Sequence, residues 1–369
     1  MLKHLFRVVA LLGLCLGAFE VVHSQTPRAT IAGRVIDAAT KEALPNVNVF
    51  LAGTSLGAAT DREGRFEIKN VPFAAHELVV SMVGYKRQEI LLRIFEPRVH
   101  TMDIRLQPLA IETQTVEVVA KDPKEWREHL ERFKEEFFGD TQNAEHCSIL
   151  NPEVLDFKVA GKVFEVASHV PILVENRALG YRIEFFIEEF RVEDYSLQYR
   201  AKTRFEELTP RDEEERNRWK EQRQRAYYGS KTHFLKALAQ GRTKEEGFEV
   251  SLVPNVRPLG REYQRSKLLV DPQNYVLDTE FEFQKRLRFP DYLEIIYNRE
   301  RAEANFQRMF DSAAPLAERQ ISWITMNRLT VLFTTDGHAL DSYALKVYGY
   351  WAFERIAELL PMDYDPTKN

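Results

Sequence analysis

The sequence predicts a mainly β chain: an N-terminal β-sandwich followed by an α+β region, a mixed antiparallel sheet and helix domain. Three observations predict it. Between Thr30 and Leu109, short stretches of β-forming residues recur between turn residues with no helical stretch among them. From Pro123 the apolar residues switch to helical spacing. Beyond Asn151-Pro152 the β pattern returns, broken by a charge-dense helical stretch between Pro210 and Gly241.

A leader precedes these elements. Lys3, His4 and Arg7 come before an uncharged run from Val8 to Phe19, the arrangement of a secretory signal peptide. Val22 and Ser24 are small enough for the cleavage site, so cleavage is expected between Ser24 and Gln25, with residues 1–24 as the leader. The run is shorter than the roughly 20 residues that span a bilayer. No later stretch is long and apolar enough to cross as a helix. Cys15 lies in the run, but Leu14 stands before it, where lipid attachment wants Gly or Ala. The expected place is outside the cytoplasm: periplasm, outer-membrane associated or cell surface. Cleavage leaves Cys147 alone, so stability must come from burial and not from an internal disulfide. The formal net charge is −5 with both signs mixed. That speaks against nucleic acid, for which a basic stripe is expected.

Strands are expected at Thr30–Ile36, Val47–Ala52, Arg65–Ile68, Leu78–Val83, Gln88–Ile94 and Thr101–Leu106. Val47, Val49 and Leu51 alternate with Asn48, Phe50 and Ala52, which makes one face more polar at its start. Asp61-Arg62-Glu63-Gly64 supplies a tight turn, since Gly64 can take positive φ. The run Ile31-Ala-Gly-Arg-Val-Ile-Asp37, then Ala43-Leu-Pro-Asn-Val-Asn-Val49, Gly53-Thr54, Thr60-Asp-Arg-Glu-Gly-Arg-Phe66, Val71-Pro72 and Ser81-Met-Val-Gly-Tyr85 resembles the carboxypeptidase-like regulatory domain. The resemblance covers about a fifth of the chain. It implies a transthyretin-like β-sandwich at residues 25–110, a module attached to some metallocarboxypeptidases and, more often, to TonB-dependent outer-membrane transporters and other envelope proteins.

The residues themselves point to structure more than chemistry. Two carboxylates, Asp61 and Glu63, fall short of the six to eight oxygens that calcium takes. A zinc carboxypeptidase needs a His followed three residues later by Glu, with a distant second His. None of His76, His100, His129, His146, His169, His233 and His338 has Glu at that spacing. A Gly-x-Ser-x-Gly elbow and a phosphate-cradling Gly-rich loop are also missing from the sequence. Cys147, near Ile149 and Leu150, reads as a packed thiol. Asp336-Gly337-His338 with Asp341 is the most ligand-like cluster, yet an Asp-Gly pair there fits a turn better. No catalytic residue, metal or cofactor is therefore assigned.

After a linker or strand at 111–122, residues 123–369 are expected to form one α+β domain with the charged helical insertion at about 210–241. Asp122 can cap a helix with Pro123 in its first turn; Trp126, Leu130, Phe133 and Phe137 follow at helical spacing, and Gly139 ends it. Strands are expected at Val159–Val166, Leu173–Asn176, Tyr181–Val192 and Ser196–Phe205. Ser230 can cap a helix carrying His233, Phe234, Leu235 and Leu238. Further strands are expected within Phe248–Val270 and at Tyr275–Phe283, Tyr292–Tyr297, Ile321–Asn327, Leu329–Thr334 and Ala344–Tyr350, with a last helix over Trp351–Leu360. The phrases Asn151-Pro-Glu-Val-Leu155, Glu175-Asn-Arg-Ala-Leu-Gly-Tyr181, Ala226-Tyr-Tyr-Gly-Ser230, Gly349-Tyr-Trp351 and Leu359-Leu-Pro361 are similar to a group of envelope proteins with the same sandwich in front. That group implies architecture and compartment, and no activity.

The leading expectation is a non-enzymatic binding or assembly protein of the bacterial envelope, with an envelope protein or glycan as partner. Candidate binding residues are Glu175, Arg177, Trp219, Tyr227, Tyr228 and His233, which put charge and rings on the central strands and the charged helices. The alternatives are a hydrolase using C-terminal carboxylates such as Glu175 or Asp336, and an accessory to a TonB-dependent transporter.

Overall fold

The computed structural model describes residues 28–109, 123–194, 196–254, 267–309 and 318–368. The expected leader, its cleavage site, the linker at 111–122 and the Asp122 cap lie outside the described residues.

The N-terminal strands are β1 (Arg28–Asp37), β2 (Asn48–Leu51), β3 (Gly57–Ala59), β4 (Arg65–Pro72), β5 (Ala74–Ser81), β6 (Gln88–Ile94) and β7 (Val99–Leu106). They make two layers, ordered β4-β1-β7 and β3-β2-β5-β6. Only β1 and β7 run parallel among these pairs. Alternation sends Ile31, Val35, Val49, Leu51, Leu78 and Val80 into the space between the layers. The turn before β4 forms as expected: the Asp61 carboxylate accepts from the Glu63 and Arg65 amides at 3.0 and 2.8 Å. β5 starts at Ala74 and ends at Ser81, earlier than the expected Leu78–Val83. The face expected to be more polar, that of Asn48, Phe50 and Ala52, is not open to water further along. Phe50 is fully buried because Phe186 covers it, ring centroids 5.6 Å apart. A layer packed on both faces loses its polar side.

The second sheet is antiparallel throughout. Its strands are β8 (Cys147–Ile149), β9 (Leu155–Ala160), β10 (Val163–Ser168), β11 (Ile172–Asn176), β12 (Tyr181–Glu193) and β13 (Ser196–Glu207). β12 is long enough to pair with β11 at its start and β10 at its end along one edge; β13 takes the other edge. The single strand expected over Val159–Val166 is corrected: Gly161, at φ 61°, turns the chain back, and β9 and β10 form a hairpin. Helix α1 (Pro123–Phe138) lies on this sheet. Phe133 meets Phe190 and Phe137 meets Phe185 edge-on, at 5.0 and 5.1 Å. Such aromatic contacts add about 0.5–1.5 kcal/mol each beyond the area they bury.

Two helices follow, α2 (Glu213–Tyr227) and α3 (Lys231–Ala239). The Asp212 carboxylate accepts from the Glu215 amide at 2.7 Å, and the Ser230 hydroxyl caps α3 at the His233 amide, 3.2 Å. α2 reads as charged all round, yet Glu215, Trp219, Arg223, Ala226 and Tyr227 form a buried stripe. The remaining strands are β14 (Phe248–Val253), β15 (Leu268–Leu269), β16 (Val276–Asp278), β17 (Gln284–Leu287), β18 (Tyr292–Arg301), β19 (Arg319–Met326), β20 (Val331–Thr334) and β21 (Leu345–Gly349), with helices α4 (Ala304–Met309) and α5 (Tyr350–Phe353). They form a sheet ordered β15-β14-β18-β19-β21 and a smaller one ordered β16-β17-β20. Phe234, Leu235 and Leu238 of α3 enter the core of these sheets with Phe248, Ile295 and Phe333.

Two further expectations are corrected. The strand expected over Tyr275–Phe283 is a 3₁₀ turn at Pro272–Tyr275, then the short β16 and a bend in which the Thr279 hydroxyl accepts from the Phe281 amide at 3.2 Å. The helix expected over Trp351–Leu360 stops after Phe353. Glu354 is extended and pairs its backbone with Gly139 instead, and Ile356–Glu358 forms a 3₁₀ turn.

Candidate functional site

The three bodies meet around a cleft of about 2130 Å³. Backbone pairing joins the sandwich to the second sheet: Gly53 donates to the Thr203 carbonyl at 2.8 Å, and Phe205 donates to the Thr54 carbonyl at 3.1 Å. Gly53-Thr54 is thus a short parallel neighbour of β13. The C-terminal segment ties the same loop to the third body. Met362 donates to the Gly53 carbonyl at 2.7 Å, and the Asp363 carboxylate accepts from the Ser55 amide at 2.8 Å. Elsewhere Phe95 of the sandwich stacks on Phe283 at 4.8 Å and meets Phe281 at 5.2 Å.

One wall of the cleft is β13 from Ser196 to Lys202. Arg200 lies 5.6 Å from the Tyr343 ring centroid, and the Tyr343 hydroxyl donates to Glu189 at 2.9 Å. Burial, then the Glu189 bond, pushes the Tyr343 phenol up to about 12. Lys202 donates to Glu77 across the junction. Burial opposes its charge, but the Glu77 bond and the Glu77 and Glu188 charges raise it above the ordinary lysine value. The opposite wall carries Asp336 and His338, held in the expected turn: Gly337 donates to the Thr334 carbonyl at 2.9 Å. His338 Nε2 donates to the Met362 carbonyl at 2.9 Å, and burial holds the imidazole below its usual value, hence neutral.

Glu354 and Glu358 line the cleft beside Arg355. Burial raises Glu354 well above an ordinary carboxyl, helped by the charges of Glu358, Glu303 and Glu300. Glu358 accepts from the Asn143 amide at 2.8 Å, and burial still raises it to about 7. The nearby cation is Arg225, 2.9 Å from Glu300 and 3.7 Å from Glu303. A carboxyl raised in the folded state stabilises it fully below its unfolded value, and that contribution is lost as pH rises through about 7. Thermal stability is therefore expected to fall between pH 5 and 8, and Glu358→Gln should flatten that slope. An unchanged slope in melting curves across that range refutes the assignment.

The candidate residues fall into two clusters. Glu175, at the end of β11, accepts from Arg177 at 3.0 Å and faces Arg182 at 3.7 Å. Trp219 donates Nε1–H to the Arg177 carbonyl at 2.7 Å, and its ring fills the space a side chain at position 180 would need. Glu215, 3.5 Å from Arg177, is held down to about 2 by its bonds to Arg211. This is packing at the α2–sheet contact. In the second cluster the Tyr227, Tyr228 and His233 rings lie 5.3–5.4 Å from one another. His233 Nδ1 accepts from the Gly229 amide at 3.1 Å, Nε2 faces Glu246 at 3.5 Å, and burial lowers its pKa. Of the six, only Tyr227 lines the cleft, where its ring is 5.9 Å from that of Tyr364. The arginines of α2 do not form an open anion groove, since Arg218 pairs with Glu214, Arg225 with Glu300, and Arg223 is buried.

Sequence reading missed Tyr199, Arg200, Tyr343, Glu354 and Glu358, whose assembly needs elements far apart in the chain. Cys147 is outside the cleft. Its thiol donates to the Asn143 carbonyl at 3.4 Å, and burial pushes it up to about 12, so no thiolate forms at neutral pH. Among the described residues, no group of three or more His, Cys, Asp or Glu side chains is placed to hold a metal ion. No helix among them is long and apolar enough to cross a membrane.

Residues 31–118 match the CarboxypepD_reg-like domain, a transthyretin-like β-sandwich family, in agreement with the two-layer arrangement of β1–β7. A search of curated proteins finds no match. Among solved structures, a cohesin–X-dockerin complex of Acetivibrio cellulolyticus is 21% identical, covering 21% of this chain and 56% of that one, at TM-score 0.19. A minor pilin of Streptococcus agalactiae is 16% identical over 23% of this chain and 46% of that one, at TM-score 0.20. A carbohydrate-binding candidate from Bacteroides uniformis is 10% identical over 49% of this chain and 80% of that one, at TM-score 0.19. At such scores nothing about function follows from them.

Proposed function

We propose that this chain, with its CarboxypepD_reg-like domain in front, is an exported, non-enzymatic binding protein of the bacterial envelope whose ligand seats in the central cleft. The sandwich (25–110) and the α+β body (123–369) are its two domains, and both contribute walls. The observation that carries the reading is the cleft itself, where rings (Tyr199, Tyr343, Tyr227) and charged groups (Arg200, Lys231, Asp336) of the α+β body line one space and the sandwich adds Glu77 and Phe95. Ligand sites are concave and combine apolar walls with a few placed polar groups. The basic leader with its apolar run supports export.

The test uses residues 25–369 on arrays of bacterial envelope oligosaccharides and of linear peptides, read beside Tyr343→Ala and Arg200→Ala. Binding that falls tenfold or more in either variant, with the melting temperature kept, is the expected result. No binding to either array, or binding indifferent to both variants, ends the cleft reading.

A hydrolytic second reading has one observation in its favour: the raised carboxyls Glu354 and Glu358 both line the cleft. A raised carboxyl can serve as general acid. Turnover of envelope glycan or peptide fragments that Glu358→Gln abolishes would establish it; binding without turnover dismisses it.

A further inference from the structure

We propose that the ligand of the cleft is an extended polypeptide segment that adds as a strand to the free edge of β13. This rests on the cleft being the binding site and names what it takes. β13 is an outer strand of its sheet; among the described residues it pairs with β12 on one side and, on the other, only with Gly53-Thr54 at one end. In an antiparallel strand the N–H and C=O of one residue point to the same side, and the side alternates along the chain. The Thr203 C=O and the Phe205 N–H are used on the outer side, toward Gly53 and Thr54. Because the irregularity in the pairing lies on β12, between Ile187 and Glu189, β13 stays regular. The outward groups of the remaining edge are therefore those of Ala201, Tyr199 and Leu197. All three residues line the cleft. Among the described residues, no hydrogen bond reaches these outward groups.

A row of alternating donors and acceptors at strand spacing is matched in full only by another extended backbone. Glycan hydroxyls do not repeat at that spacing. The chain already shows the match once, where Gly53-Thr54 pairs with one end of the same edge. Open strand edges are usually blunted or covered, and peptide binding by strand addition exploits those left open. The edge from Leu197 to Ala201 spans roughly 13 Å at about 3.3 Å per residue, room for a segment of about five residues. Side chains of the added strand would alternate between two surroundings. Tyr199 shares its strand face with Leu197 and Ala201, while Arg200 and Lys202 share the other face with Tyr343 and Glu77 nearby.

The experiment takes residues 25–369, an array of ten-residue linear peptides, and the best-binding peptide remade with N-methyl groups at alternate residues. Tyr199→Pro removes one outward N–H without removing a bond to β12, and edge positions tolerate proline. Expected results are tenfold or greater weakening by Tyr199→Pro and by N-methylation in one register. Amide exchange is a second readout that survives a variant failing to fold. Leu197, Tyr199 and Ala201 amides should exchange fast in the free protein and slowly with peptide bound, while Gln198 and Arg200 stay protected in both. Peptide binding indifferent to N-methylation and without new protection overturns the proposal. Binding of oligosaccharides alone, or pairing of two copies of this chain at the edge, overturns it and leaves the cleft reading standing. Binding of neither probe class ends both.

Discussion

Arg223→Ala is expected to destabilise the chain by roughly 3–5 kcal/mol, the sum of one unmet buried carbonyl, the other lost guanidinium hydrogen bonds and a lost cation–ring contact. The side chain comes from the middle of a helix whose sequence reads as solvated, yet it is 7% exposed. Its Nε–H donates to the Leu179 carbonyl at 2.7 Å and one Nη donates to the Gly180 carbonyl at 3.3 Å. The other Nη donates to Glu207 at 3.1 Å, and the guanidinium lies 4.1 Å from the centroid of the buried Tyr181 ring. Two chain segments, residues 179–181 and the end of β13, thus depend on one planar donor fork from α2. Alanine leaves the Leu179 carbonyl unpaired where water has little access, while the Gly180 carbonyl keeps the Leu208 amide at 3.0 Å. Lysine keeps the charge but neither the fork nor the flat stacking surface, so Arg223→Lys should recover less than half of the loss. Urea titrations of the two variants check this. A loss under about 1 kcal/mol for alanine would mean that water reaches the Leu179 carbonyl and that the fork is dispensable.

The same helix shows where sequence was readable and where it was not. The cap of the next helix, α3, was legible, because Ser230 acts on an amide three residues away and needs no distant partner. The strands of the sandwich were legible for a similar reason, since alternation and turn residues are local signals. The hairpin between β9 and β10 was lost because a single Gly161 inside a β-like run was read through. Local pattern also could not show that Arg223 and Trp219 face inward. Their burial is set by the carbonyls of Leu179 and Arg177 on a segment some 40 residues earlier. The cleft was the least legible feature. Tyr199, Tyr343 and Glu358 carry no shared motif and line one cleft because the tertiary fold brings β13, the segment before β21 and the C-terminal 3₁₀ turn around it. Asp336-Gly337-His338 is the exception, singled out for its turn chemistry and found as a turn in the cleft wall.

That turn is the place where a small change should reach the cleft. Gly337→Ala is expected to destabilise by roughly 2–5 kcal/mol, the combined cost of a strained backbone and a forced contact. Gly337 has φ 95°, and a Cβ there would stand 2.1 Å from the Thr232 carbonyl oxygen and 3.0 Å from the Lys236 nitrogen. Both atoms are backbone of α3, which cannot retreat because Phe234, Leu235 and Leu238 are fixed in the core. The turn must yield instead, and it carries Asp336 and His338 with it. Displacing His338 loosens its bond to the Met362 carbonyl, whose own amide holds Gly53. Strain at one glycine therefore runs through the C-terminal segment to the sandwich and to the neighbour of β13. Gly161→Ala is the matched control: φ is 61° there, and no atom stands within 4 Å of the added carbon. It should show backbone strain alone, about 1–2 kcal/mol. The difference between the two variants in denaturant unfolding isolates the contact with α3, and the folded fraction of Gly337→Ala should bind the cleft ligand more weakly than Gly161→Ala. Equal losses in both variants would show that the turn and α3 separate freely, and that this wall of the cleft is not held from behind.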